Sequence, residues 1–390
     1  MNKDLSKGLA YALSQESERW SLSLEGEDPR SFLNDLVRGL KGTDSSSNRK
    51  KIPNKHRYVG LSPTIAWLLT CRDPSYPVMY DSLESFARLW DACFSGLGNA
   101  PFHYVSLGVG TGDKDRHVID RLEATNPDLL YLAVDISSHM LRLGTTETAR
   151  RYPGRVLPIE LDFERNSSLQ ALKRLTEIVL GDEPIVFSLF GNSLANIDDD
   201  AGFLRDISSL LRPQDRFMLE VAVTERADTA AAAAAAAERT GSRLYNEFVT
   251  SALSMYTDLT IDTNWLRFDG SIESGKGVRV EGRYVNCGSE PLTLTLPNRE
   301  TVPFLPGEDI QVLLGRKYLR PGLKKALADA NLVEISSEYE LHGESLRNAR
   351  PLEENFGLGL AVYKRDPHAV RDNEGALARV WKSETAATEA

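Results

Sequence analysis

From residue 104 to residue 222 short apolar runs alternate with segments of helical periodicity, and that alternation restricts the fold more than any other feature of the chain. The runs are "YVSLGVG", "DLLYLAVDIS", "GRVLPIELDF", "PIVFSLFGNSLAN" and "DRFMLEVAV"; between them lie "KDRHVIDRLEA", "SSHMLRLGTTETARRY", "SSLQALKRLTEIVLG" and "DAGFLRDISSLLRP". Strands that are apolar at nearly every position are buried on both faces, and a helix between successive strands makes them parallel. The pattern predicts an α/β fold with a doubly wound, mainly parallel, Rossmann-like sheet. Ligands of such sheets lie beyond the carboxyl ends of the strands, which directs attention to the loops there.

The flanks differ. Residues 1–55 read as a helical extension, with Phe32, Leu33, Leu36 and Leu40 near one face, followed by the polar, basic link "KGTDSSSNRKKIPNK", read as a solvated hinge. Residues 56–222 hold further helices and the alternating region. Residues 223–315 read as an inserted α+β lobe: eight consecutive alanines at 230–237 predict a helix, and "NWLRFDGSIE", "VRVEGRYV", "PLTLTLP" and "DIQVLL" predict antiparallel strands. Residues 316–366 return to the sheet with a helix and strands, and 367–390 read as an exposed tail.

Composition excludes several classes. The net charge is -10 with a pI near 5.3, which disfavours general nucleic-acid binding. Cys71, Cys93 and Cys287 are too few and too widely spaced for a disulfide framework or a metal knuckle, and the six histidines form no HExxH, so no metal is expected. With no signal-like or membrane-spanning run, the chain reads as a soluble, cytoplasmic protein acting on a small molecule.

The sharpest local motif is "LGVGTGDKD". Gly108, Gly110 and Gly112 end the first strand and precede a helix, where a missing Cβ permits a sharp turn and close approach of a ligand. The loop lacks the Gly-Lys-Ser/Thr of a triphosphate clamp, and it is GxGxG rather than GxGxxG, with Asp113 in place of the last glycine. Acids beside the loop repel a pyrophosphate but suit an adenosine without phosphates. Asp135 and Ile136 end the second strand, where a carboxylate accepts ribose hydroxyls. Asp162 and Phe163 end the third, placed for the adenine; Phe190 and Gly191 follow the fourth, placed for the sulfur end. Together with Gly108, Val109, Gly110 and Asp113 these positions fit S-adenosylmethionine. The bland alternatives are that Asp113 caps a helix and Asp135 caps a loop.

In this arrangement the chain resembles the class I S-adenosylmethionine-dependent methyltransferases, in particular the ergothioneine-type, histidine-specific Nα-methyltransferases. The resemblance spans roughly residues 56–363 and rests on "LGVGTGDKD", "AVDIS", "LDF", "SLFGNSLANIDDDAGFLRDISSLLRP" and "LPGEDIQVLLGRKY". It implies that Asn196 clamps the amino or carboxylate group of an acceptor, that Tyr58 approaches the acceptor, and that Tyr245 and Asn246 project from the lobe. For Asn196 the alternative is a helix N-cap, and for Tyr58 and Tyr245 ordinary packing. Two departures stand out. Ser106 replaces an acid before the Leu-Gly pair. The positions that would offer Glu and Ser to a histidine imidazole fall on Leu313 and Gly315, neither of which has a side chain that hydrogen-bonds. The expectation is therefore methyl transfer to nitrogen or oxygen of a small amino-acid-like or specialised metabolite other than histidine. A nicotinamide-dependent oxidoreductase and a catalytically silent scaffold are the rivals.

Overall fold

The computed structural model of the chain describes residues 22–23, 30–43, 48–80, 82–342 and 355–367. The readings of a helix over residues 1–21 and 24–29 and of a tail after 367 lie outside them; Leu22 and Ser23, also read as helix, instead form a short strand paired parallel with Ile159 and Glu160 at the edge of the sheet. Helix α1 (Arg30–Lys41) buries Leu36, Val37 and Leu40. Helices α2 (Leu61–Cys71) and α3 (Ser82–Cys93) follow, and then the alternation begins. It runs β1 (His103–Leu107), α4 (Asp113–Leu122), β2 (Tyr131–Asp135), α5 (Ser138–Arg151), β3 (Val156–Glu160), α6 (Asn166–Val179), β4 (Ile185–Leu189), α7 (Asp200–Leu210) and β5 (Arg216–Thr224). Every residue of β1, β2 and β4 is buried, as strands covered by helices on both faces must be.

The lobe comprises α8 (Thr229–Ala237), α9 (Arg243–Tyr256), β6 (Leu266–Glu273), β7 (Gly277–Val285), the hairpin β8 (Leu292–Thr295) and β9 (Thr301–Phe304), and β10 (Asp309–Leu319). Helix α10 (Arg320–Asp329), β11 (Leu332–Leu341) and β12 (Phe356–Arg365) complete the chain. The central sheet runs β3-β2-β1-β4-β5-β12-β11, parallel from β3 to β5, with β12 antiparallel between β5 and β11.

Strand β5 outruns its neighbour. Its residues 216–219 pair with β4, while Val223 and Thr224 pair with Tyr318 and Leu319 at the end of β10. The sheet thus branches just beyond the carboxyl end of β4, and β10 carries β7 and β6 out over the ligand edge. The alanine helix lies directly on this extension: a Cβ on Gly270 of β6 would stand 1.9 Å from the Ala232 carbonyl oxygen. Small side chains on the helix and glycine on the strand permit that approach.

One reading is overturned. The basic link is no solvated hinge over residues 48–55: Lys50 and Lys51 pair with Ile310 and Gln311 of β10, and a 3-10 turn, Asn54–Arg57, is buried along its length. Its cations are neutralised one by one, Lys50 by Glu308, Lys51 by Asp198 and Lys55 by Asp35 and Asp162. Composition alone shows polar residues; it does not show that each has an opposite charge waiting.

Candidate active site

A cavity of about 320 Å³ opens at the carboxyl ends of β1 to β4. Gly108, Val109, Gly110, Asp113, Asp135, Ile136, Asp162, Phe163, Phe190 and Gly191 all line it, as do Tyr58 and Asn196. A smaller chamber of about 60 Å³ lies deeper, under the lobe. The two share walls at Tyr58, Trp67, Met79, Ser82, Lys114, Gly191 and Asn196. Tyr245 and Leu313 line the inner chamber. Asn246 and Gly315 line neither. Gly315 instead faces Arg239, whose Nη2 would be 2.9 Å from a Cβ there, so the guanidinium fills the space that a side chain at 315 would take.

The glycine loop is a conformational necessity: Gly110, with φ of 52°, is left-handed like the two glycines that flank it. Gly108 and Gly112 have φ of 81° and 72°, in the left-handed region, and a Cβ on Gly112 would lie 2.0 Å from the carbonyl oxygen of Gly144 in α5. The loop is thereby pressed onto the second helix while its outer side faces the cavity. Asp113 is the first residue of α4, whose N-cap is Gly112; its carboxylate pairs with Arg116 rather than capping the helix.

Asp135 is 6% exposed and accepts from the Ser137 backbone N–H at 2.9 Å, so it does cap its own loop. Burial pushes its carboxyl up to about 7, against which the backbone amides of Ser137, Gly110, Val109 and Ile136 pull. Asp162 is held by Lys55 at 2.6 Å and by Arg165 at 3.0 Å. Glu164, also on the cavity wall, is raised to about 7 by burial and by Asp162. Ser106 stands where an acid was expected, and Asp115 from α4 approaches it, accepting from Tyr104 at 2.5 Å and Tyr131 at 2.9 Å. Burial lifts Asp115 to about 6.

Asn196 ends a 3-10 turn, Ser193–Asn196; the N-cap of α7 is Asp199, which accepts from Gly202 N–H at 2.8 Å. The N-cap reading of Asn196 is thus set aside. Its backbone carbonyl accepts from the Asn54 side chain, whose Oδ1 in turn accepts from Leu314 N–H and from Arg57. The Asp198–Asp200 run is likewise committed: Asp200 binds Tyr318 and Lys276, and among the described residues no group of acids, histidines and cysteines could hold a metal.

Sequence reasoning missed Arg57, Lys114, Glu220, Glu238 and Arg239, all on the inner wall. Glu220, fully buried in β5, grips Lys114 with both oxygens, at 2.6 and 2.7 Å, and accepts from Gly191 N–H at 2.6 Å. Glu238 and Arg239 follow the alanine run immediately, and Lys317 pairs with Glu238 at 2.7 Å. The only available signal was that the run ends in two charges.

The wall fits an adenosine without phosphates. Asp113, Asp135, Asp162 and Glu164 surround the cavity, and the lysines that reach it, Lys55 and Lys114, are already paired to carboxylates. Among the described residues Arg72, exposed on the same wall, is the one cation there without a carboxylate at ion-pair distance, and the acids outnumber it.

The chain matches the family described as histidine-specific, S-adenosylmethionine-dependent methyltransferases over residues 34–340. It belongs to that family and is an S-adenosylmethionine-dependent methyltransferase. Among the described residues no helix is long and apolar enough to cross a membrane. No curated protein sequence gives a significant match. Solved structures it is similar to include the CcbJ methyltransferase from Streptomyces caelestis (15% identity, 73% of this chain and 90% of that one, TM-score 0.34). Others are an S-adenosylmethionine-dependent methyltransferase from Clostridium acetobutylicum (13%, 75% and 96%, 0.37) and one from Anabaena variabilis (10%, 79% and 96%, 0.39).

Proposed function

We propose that the protein methylates a nitrogen or oxygen of a small, amino-acid-like or specialised metabolite other than histidine, which enters the inner chamber while the donor occupies the outer cavity. The observation that carries this is the chamber itself. Where a histidine ring would need a carboxylate and a hydroxyl, the chain places Leu313, 3% exposed, and a glycine backed by the Arg239 guanidinium. An imidazole lying against Leu313 would lack both groups, at about 1–3 kcal/mol per unsatisfied group.

The donor supplies a methyl group activated by a positive sulfur. The chain supplies position and dryness. Asp135 offers a carboxylate to the ribose hydroxyls, the loop at Gly108–Gly112 brings its backbone to the amino-acid end, and Phe163 faces Gly108 at 3.6 Å from its would-be Cβ. Asn196 and Tyr58, on the wall common to both spaces, are placed to orient the acceptor atom. Holding two reactants in line and excluding water lowers the barrier without a nucleophile or metal. Asn196 contributes a carboxamide, which donates and accepts but takes no proton, so its role is orientation.

The test is release of S-adenosylhomocysteine from S-adenosylmethionine in the presence of a panel of amino acids and amines, histidine included. Turnover with a non-histidine acceptor and only background with histidine is expected. Histidine proving the best acceptor would overturn the reading.

A further inference from the structure

Six charged side chains line the inner chamber: Arg57, Lys114, Glu220, Glu238, Arg239 and Lys317. Their pairing is uneven. Lys114 holds Glu220 and Lys317 holds Glu238, which consumes both carboxylates. Arg57 and Arg239 have no carboxylate within ion-pair distance among the described residues; Glu164 and Glu238 act on them only from further away. Arg239 donates to the phenol oxygens of Tyr245 and Tyr76. Arg57, 1% exposed, donates from Nη2 to Asn54 Oδ1 at 2.5 Å and from Nε to the Asn54 carbonyl at 3.4 Å, while Nη1 is buried with no partner. The faces of Phe248 and Tyr58, 5.7 and 5.8 Å from its Cζ, are weak substitutes for an anion.

A buried guanidinium with an idle N–H beside a cavity is an unfinished ion pair, since burying a cation without a counter-charge is costly. We infer that the inner chamber receives a carboxylate of the methyl acceptor on the Arg57 guanidinium, with Arg239 reinforcing it. This assignment rests on the reading that the chamber takes the acceptor. The wall carries four cations against two carboxylates, an excess that an anionic ligand balances. Burial lowers the pKa of Arg57 and repulsion from Arg239 adds to that, against the pull of Tyr58, Tyr245 and Glu164; an anion on Arg57 opposes the lowering. A chamber of about 60 Å³ accommodates a carboxylate and its neighbouring atoms, not a whole metabolite, so the rest of the acceptor lies toward Asn196 and the outer cavity. The other unpartnered atom on this wall, Oε1 of Glu238, is free to accept a hydrogen bond. A second polar group of the acceptor that reaches Glu238 is therefore a donor, an amine or a hydroxyl.

Titration calorimetry on the full chain saturated with S-adenosylhomocysteine decides it, using free L-amino acids and the corresponding carboxamides as probes. At least one free acid binds, and its carboxamide binds about tenfold or more weaker, the loss typical of a charged hydrogen bond. Arg57→Gln weakens the acid by a similar factor while S-adenosylhomocysteine affinity stays within about threefold, and Arg57→Lys recovers part of the loss. Should Arg57→Gln not fold, Arg239→Gln, on a different element, must show the same selective loss of the acid. Equal binding of acid and carboxamide, no binding of any free acid, or wild-type acid affinity in the variants overturns the assignment. Failure to bind S-adenosylhomocysteine counts against the methyl-donor site instead; the acid and carboxamide comparison is then made on the ligand-free protein and decides the carboxylate question by itself.

Discussion

Asp135 serves two opposed demands. Burial makes its charge unfavourable, and the donor's ribose calls for that charge. With the carboxyl raised to about 7, the ligand-free protein carries it largely protonated at pH 6 and largely ionised at pH 8. Affinity for S-adenosylhomocysteine therefore rises from pH 6 to pH 8 and then levels off. Stability runs the other way: a folded-state pKa above the unfolded value of 3.8 favours folding at low pH, and the contribution is lost as pH climbs through about 7. Asp115 and Glu164, raised to about 6 and about 7, act in the same direction. Asp135→Asn removes the titration. It should weaken S-adenosylhomocysteine binding about tenfold, flatten the pH profile of binding, and leave the ligand-free protein at pH 8 at least as heat-stable as the parent. Calorimetry and thermal melts at several pH values check all three, and an unchanged pH profile in the variant would exclude Asp135 as the group responsible.

At the scale of elements, the inner chamber depends on how closely α8 lies on β6. The alanine helix has no side chain that reads a ligand, yet its last turn delivers Glu238 and Arg239 to the wall, and Asp228 fixes its start by accepting from Ala231 N–H at 2.8 Å. Gly270→Ala drives a methyl group into the Ala232 carbonyl and lifts the helix from the strand. We expect a loss of about 1–3 kcal/mol of stability, as for other overpacked contacts. We also expect a fall in methyl-transfer rate with S-adenosylhomocysteine affinity unchanged, because the outer cavity is built from other elements. Urea unfolding and binding measured on the same preparation separate the two effects; a parallel loss of cofactor affinity would show that the lobe also shapes the donor site.

For the whole molecule, the important joint is the short pairing of Tyr318 and Leu319 with the end of β5, continued by the Asn54–Arg57 turn that binds both Asn196 and Leu314. Donor cavity and acceptor chamber thus share one backbone frame. Saturation with S-adenosylhomocysteine at a hundred times its dissociation constant should add about 2.7 kcal/mol to the unfolding free energy. Because the frame is shared, that gain should appear in the melting of the lobe tryptophan Trp265 as well as in far-ultraviolet dichroism. A lobe signal that melts at an unshifted temperature would show that the two parts unfold independently.

The parallel sheet, the glycine loop and the acids at successive strand ends were legible in the sequence, because each is set by local periodicity, by backbone freedom or by position within a strand-turn-helix unit. Ten positions named for the cofactor line one cavity for that reason. The inner chamber was not legible. Its wall draws Arg57 from a segment that looks like a polar linker, Glu238 and Arg239 from the end of an alanine run, and Lys317 from a strand of the lobe. Asn246 and Gly315, named from the same resemblance as Tyr245 and Leu313, fall outside it: a helix turns neighbouring side chains by about 100°, and Gly315, on the same strand face as Leu313, is covered by the Arg239 guanidinium. Which charges end as neighbours, and which is left without a partner, is decided by contacts between residues far apart in the chain. Such contacts carry no local period, and only the folded arrangement of β5, β10 and the Asn54–Arg57 turn brings them into being.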